Sequence, residues 1–141
     1  MRRTVLAAVA IIALSGCLSA RNVTELRTLD AGNRFMVQQD YETAYGTVLD
    51  KMRECWQTSF FMGVGLLIEH EIRPSKKNAS VSAMVMNTMG PNSGVVLLVD
   101  FHGQDGNRTD VNVYADPTFS RSREHRDRIV REWIEGTKTN C

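Results

Sequence analysis

The sequence has almost no net charge and only one long apolar run. Its 17 basic and 16 acidic side chains leave a formal net charge of +1, so the chain lacks the overall basic field that favours nucleic-acid binding. Residues 5–14 form the apolar run, and no later segment is long enough to predict a transmembrane helix. The composition therefore predicts neither a nucleic-acid-binding protein nor a second membrane-inserted segment.

The sequence also lacks the short motifs that accompany common catalytic sites. There is no Gly-x-Ser-x-Gly elbow, no His-Glu-x-x-His pair and no glycine-rich phosphate loop. Neither Cys55 nor Cys141 belongs to a Cys-x-x-Cys motif, so a catalytic thiol is not expected. We therefore predict that the protein is not an enzyme and that it carries no cofactor and no metal.

A few acidic and histidine side chains are candidate metal ligands. Glu69–Glu71 encloses a histidine, but on a strand that histidine points away from both glutamates. Asp100 and His102 share a strand face, and a hairpin brings Asp105 near them. A divalent ion there would need a third ligand that the spacing does not supply. The favoured interpretation is a hydrogen-bonded pair near a turn, and His125 is interpreted as a solvated helix residue.

The N-terminus combines a cationic start, an apolar run and a small-residue motif. Arg2 and Arg3 precede the apolar residues 5–14, a length typical of a secretory signal rather than of a membrane span. The run closes on Leu14-Ser15-Gly16-Cys17, which resembles the lipobox of bacterial lipoproteins. The alternative is an ordinary secretory signal followed by a coincidental cysteine.

The resemblance implies how the N-terminal part of the chain is cleaved, lipidated and connected to the domain. Residues 1–16 are the cleaved signal peptide, Cys17 carries a diacylglyceryl group on sulfur and an acyl group on its amino nitrogen, and 17–31 is a flexible tether. The domain proper is then 32–141. Leu18 does not match the Asp that retains some lipoproteins at the inner membrane, so the expected location is the outer membrane, facing the periplasm.

The remaining two cysteines form an even pair. With Cys17 committed to lipid, Cys55 and Cys141 are left in an oxidising compartment, where a disulfide is the default. Two free thiols or an intermolecular bridge are the alternatives. We predict an intramolecular Cys55–Cys141 bond that ties the first predicted helix to the C-terminal residue.

Hydrophobic periodicity predicts an α+β fold. The predicted elements are a strand over 32–38, a helix from Asp40 to Trp56, strands over 63–72, 79–87, 94–102 and 109–115, and a helix ending near Glu135. Short turns between the last four strands demand antiparallel pairing. The expected architecture is a two-layer sandwich in which two helices cover one face of an antiparallel sheet of four to five strands.

This order of elements resembles that of helix-grip domains, such as those of the outer-membrane assembly lipoprotein BamC. The resemblance extends over about residues 32–136 and concerns element order, so it implies a fold and no site. The arginines of the last helix could meet anionic lipid, peptidoglycan acids or an acidic protein surface, but acids interleave with them and favour a solubilising face.

Three hypotheses for function follow. The first is a non-catalytic, lipid-anchored envelope protein, an accessory or protein-binding component of an envelope complex. Its partners would be the membrane, through the lipid, and an envelope protein at the exposed sheet face or edge. The alternative is a carrier of a small apolar ligand held between the sheet and the helix of Tyr41, Tyr45 and Trp56. The third is a hydrolase whose site would involve Asp100 and its neighbours.

Overall fold

The structure is a computed structural model that describes residues 22–57, 64–87, 94–117, 123–137 and 140–141. These residues form three α-helices and five strands. They are α1 (Val23–Leu29), β1 (Asn33–Val37), α2 (Tyr41–Trp56), β2 (Val64–Arg73), β3 (Asn78–Asn87), β4 (Gly94–Gln104), β5 (Arg108–Ala115) and α3 (Arg123–Ile134).

All five strands belong to one antiparallel sheet, in the order β1-β5-β4-β3-β2. Strands β2 to β5 form a meander, and β1 joins it by pairing with β5. The continuous apolar run of β4 predicts a strand covered on both faces, and β4 is indeed the central strand with both faces buried. The antiparallel α+β fold expected from periodicity is confirmed.

Two tight turns set the register of the meander. Between β4 and β5 the chain turns at Gly106 and Asn107, both with positive φ, of 78° and 57°. Glycine and asparagine tolerate this left-handed geometry, which explains the hairpin at Asp105-Gly106-Asn107. Between β2 and β3 a 3₁₀ turn over Pro74–Lys76 ends at Lys77, also left-handed at φ 49°.

Helices α2 and α3 cover one face of the sheet, as expected for a two-layer sandwich. Asp40 begins α2 by accepting a hydrogen bond from the backbone N–H of Thr43, at 2.9 Å. Inward-facing strand residues then meet the apolar stripes of the two helices in one core. Its fully buried members include Val48, Met52, Val81, Leu97, Val99, Phe101, Val111 and Val130.

A third helix, α1, packs on the other face of the sheet. Leu26 is completely buried there against Val95 and Leu98. The α1 residues were expected to belong to a flexible tether over 17–31, and that expectation is wrong for them. Asn22 caps the helix by accepting from the N–H of Glu25, and one buried leucine fixes it to the sheet. The folded domain therefore begins at α1 rather than at residue 32.

Polar contacts hold the C-terminal end of α1 in place. The guanidinium of Arg27 donates two hydrogen bonds to Asp100, at 2.8 and 2.7 Å. The carboxylate of Asp30, just past the helix, accepts from the N–H of Ala115 at 2.9 Å. Gly32 follows with a φ of 70°, and a Cβ there would lie 2.8 Å from the ring of Tyr114. None of the helices in the described ranges has the length and apolar composition needed to cross a membrane.

Candidate functional site

Cys55 and Cys141 form a disulfide, with their Cα atoms 5.3 Å apart. Cys55 lies in the last turn of α2, so the bond fixes the C-terminal residue beside that helix and confirms the predicted pairing. The residues of the lipobox prediction lie outside the described part of the chain. They are Leu14, Ser15, Gly16 and the lipid-attachment candidate Cys17.

Asp100, His102 and Asp105 do not converge on one site. The carboxylate of Asp100 is bound by Arg27, and the Nδ1 atom of His102 lies 3.1 Å from the side-chain amide of Asn78. Asp105, at the hairpin turn, pairs instead with the ammonium group of Lys77 at 3.2 Å. Each group therefore has a separate structural partner, so Asp100 and His102 do not form the hydrogen-bonded pair expected from the sequence.

The side chains of Glu69–Glu71 also divide between the two faces of the sheet, with His70 on one face and the two glutamates on the other. The Nδ1 atom of His70 lies 2.5 Å from the hydroxyl of Tyr45, on the side of α2. Glu71 accepts from Arg73 at 2.7 Å on the opposite side. Burial raises the pKa of Tyr45 above its ordinary value. Within the described ranges no group of three or more His, Cys, Asp or Glu side chains could hold a metal ion.

The face of the sheet that carries α1 is covered by that helix only at one end. In the described ranges the remainder, which we name the open face, includes the outward side chains of Arg34, Met36, Glu71, Ser80, His102 and Asn112. Met36 is 51% exposed on the edge strand β1. Its neighbour Arg34 pairs with Asp110 on β5. This surface thus combines an exposed apolar side chain with fixed charges.

A groove lies on the other side of the sheet, beside the disulfide, and we name it the disulfide groove. Its volume is about 510 Å³, within the roughly 300–1,000 Å³ range of small-molecule sites. The apolar lining comes from α2, α3 and three strands: Trp56, Leu66, Val85, Val96 and Ile129. Cys141 adds the disulfide to the wall, while His125 and Arg126 supply the polar groups.

Aromatic contacts fix the inner end of the disulfide groove. The ring of Trp56 meets that of Trp133 at a centroid distance of 5.4 Å, edge to face. The guanidinium of Arg126 lies 5.6 Å from the centre of the Trp56 ring, within the range of a cation–π contact. Arg126 is partly buried, and this removal from water lowers the pKa of its guanidinium.

The sequence-based ligand hypothesis placed its pocket along Tyr41, Tyr45 and Trp56. Tyr45 instead packs edge to face on Phe101 in the core, and Tyr41 sits against the backbone of Gly103. Trp56 alone of the three lines the groove. The apolar stripe of α2 is therefore mainly core.

Arg126 was not singled out from the sequence. A usable signal exists, because Arg126 falls on the same helical stripe as Ile129, Val130 and Trp133, three, four and seven residues later. An arginine on an apolar stripe is placed toward the core, whereas Arg128 lies outside that stripe and is exposed.

No protein-family model matches the chain, and a search of curated proteins finds no relative. A function must therefore be argued from the residues and geometry of this chain.

Proposed function

We propose that this protein is a lipid-anchored component of a bacterial cell envelope that acts by binding another envelope protein rather than by catalysis. The Cys55–Cys141 disulfide is the observation that carries the proposal. Disulfides persist in exported proteins and are rare in the cytosol. The bond also uses the two cysteines other than Cys17. Cys17 is the residue that the lipobox resemblance assigns to the lipid.

The open face supports a binding role. Met36 offers apolar contact area at the sheet edge, and the ion pair of Arg34 with Asp110 orients charge beside it. A protein partner gains specificity from charges that are held in position and affinity from the apolar contact. The adjacent polar residues of β3 and β4, Ser80 and His102, extend this surface across the sheet.

Metabolic labelling tests the lipid anchor. The full chain is expressed in a bacterial host with radiolabelled palmitate, beside Cys17→Ser and Cys141→Ser variants. We expect label on the wild type and on Cys141→Ser, and none on Cys17→Ser. Fractionation should place the labelled protein in the outer membrane. Equal labelling of all three proteins, or of none, would rule out Cys17 as the lipid site.

Site-specific crosslinking in intact cells tests the partner. A benzophenone amino acid is placed at Met36 on the open face and, as a matched control, at the exposed Asp50 of α2. We expect a discrete crosslinked protein from position 36 and none from position 50. A lipidated protein that gives only uncrosslinked monomer at position 36 would contradict the proposed interface.

A further inference from the structure

We propose that the disulfide groove binds one long acyl chain that ends in a carboxylate, with the chain against Trp56, Leu66 and Ile129 and the carboxylate beside Arg126. The site lies on the helix-covered side of the sheet, and the open face lies on the other. Binding in the groove would therefore not depend on a protein partner at the open face.

The walls of the groove are suited to an alkyl chain. Trp56, Leu66, Val85 and Ile129 are only partly buried, although all of them pack against the main core. An alkyl chain laid along them would remove the rest of their apolar surface from water, which is favourable. Among the described residues the groove opens to solvent, so a linear ligand can enter without displacing the core.

The charge at the groove selects the head group. Arg126 stands where an apolar stripe meets the groove, and its guanidinium is held over the Trp56 ring. A cation partly shielded from water interacts more strongly with an anion than an exposed one does. Because a guanidinium has five N–H donors, Arg126 can bind a carboxylate while keeping its existing contacts. The neighbouring His125 adds a second polar group on the same rim.

Arg131 provides a natural control within the same helix. It is exposed, its guanidinium lies 4.4 Å from the centre of the Phe35 ring, and it does not line the groove. A general effect of positive charge on α3 would involve both arginines equally. A site at the groove requires Arg126 alone.

The test uses the chain from Leu18 onward, which retains every described helix and strand and the disulfide. The probes are dodecanoate, its methyl ester and dodecyltrimethylammonium, which share one chain and differ in head charge. Binding of 12-bromododecanoate is followed by quenching of tryptophan fluorescence, and stoichiometry by native mass spectrometry. We expect saturable one-to-one binding, with the anion bound more tightly than the ester and the cation bound least.

Three variants locate the site. Arg126→Gln should weaken dodecanoate binding by about tenfold or more, the value of a charged hydrogen bond, and leave the ester unaffected. Arg131→Gln should change neither. Ile129→Trp, which fills the groove, should abolish binding of both probes. If Ile129→Trp loses the circular dichroism spectrum of the folded protein, binding is measured instead with Leu66→Trp, which fills the groove from the sheet side.

Several results would overturn the proposal. Quenching that does not saturate, or equal affinity for the three head groups, would contradict a site with a carboxylate partner. Equal losses from Arg126→Gln and Arg131→Gln would indicate a diffuse effect of charge. A further result would be quenching of Trp56 by the brominated probe in the chain from Leu18 but not in the lipidated full chain. It would show that the protein's own acyl group fills the groove.

Discussion

Loss of the Cys55–Cys141 disulfide should destabilise the domain by a large part of its total stability. The two cysteines are 86 residues apart in the sequence. In the chain-entropy treatment, a crosslink closing a loop of that length restricts the unfolded chain by about 4.6 kcal/mol at about 25 °C. Most small domains are stable by only about 5–15 kcal/mol in total. We therefore expect the Cys55→Ser/Cys141→Ser double variant to lose at least about 2 and up to about 4.6 kcal/mol.

Equilibrium unfolding in urea measures this loss, with the chain from Leu18 so that Cys17 does not contribute. The reduced wild type is the matched control, since it keeps both sulfur atoms and their packing while it removes the crosslink. Both proteins should show a lower midpoint of unfolding. Their m-values should rise, because an unfolded chain without the crosslink exposes more surface.

A free energy of unfolding for the reduced wild type within about 1 kcal/mol of the oxidised protein would refute this reasoning. A loss confined to the double variant would show that the sulfur atoms act through packing against the core. An unchanged m-value with a large loss would also contradict an effect that operates through the unfolded chain.

Three further predictions concern single elements of the fold. Leu26→Ala should cost about 2–5 kcal/mol of unfolding free energy and speed hydrogen exchange in α1, whereas a loose tether would show neither effect. Asp40→Ala should cost about 1 kcal/mol at neutral pH. Because the hydroxyl and the backbone N–H of Thr43 both donate to Asp40 and lower its pKa below 3.8, the difference from wild type should vanish in acid, as pH falls through the folded-state pKa. Burial raises the pKa of Tyr45 and Tyr114 above 10.0, so their contribution to stability should be complete below pH 10.0 and fall as pH rises through the folded-state pKa. Tyrosinate absorbance should therefore develop at higher pH in the folded protein than in urea, and coincident titrations would contradict this.

The sheet could be predicted from the sequence because its signals are local. The alternation of β3 and β5, the unbroken apolar run of β4 and the turn at Gly106 each specify one element. Antiparallel pairing then follows from the short connections. Asp40 likewise marks the start of α2, and its side chain caps that helix.

Helix α1 could not be predicted from periodicity because it is too short to show a stripe. Only Leu26 of its seven residues is buried, and the apolar partners of that leucine lie far away in sequence. The local signal was Asn22 followed three residues later by Glu25, a pattern typical of a helix start. The disulfide groove could not be predicted from the sequence for a related reason. Its walls come from two helices and three strands that are separated along the chain.

The position of α1 also limits how far the domain can stand from its anchor. With Cys17 lipidated as proposed, five Cα-to-Cα steps separate the lipid from the helix cap at Asn22. Fully extended, they reach about 18 Å, less than the width of a small domain. The start of α1 would then lie close to the bilayer surface, and a partner on the open face would bind beside the membrane rather than far from it.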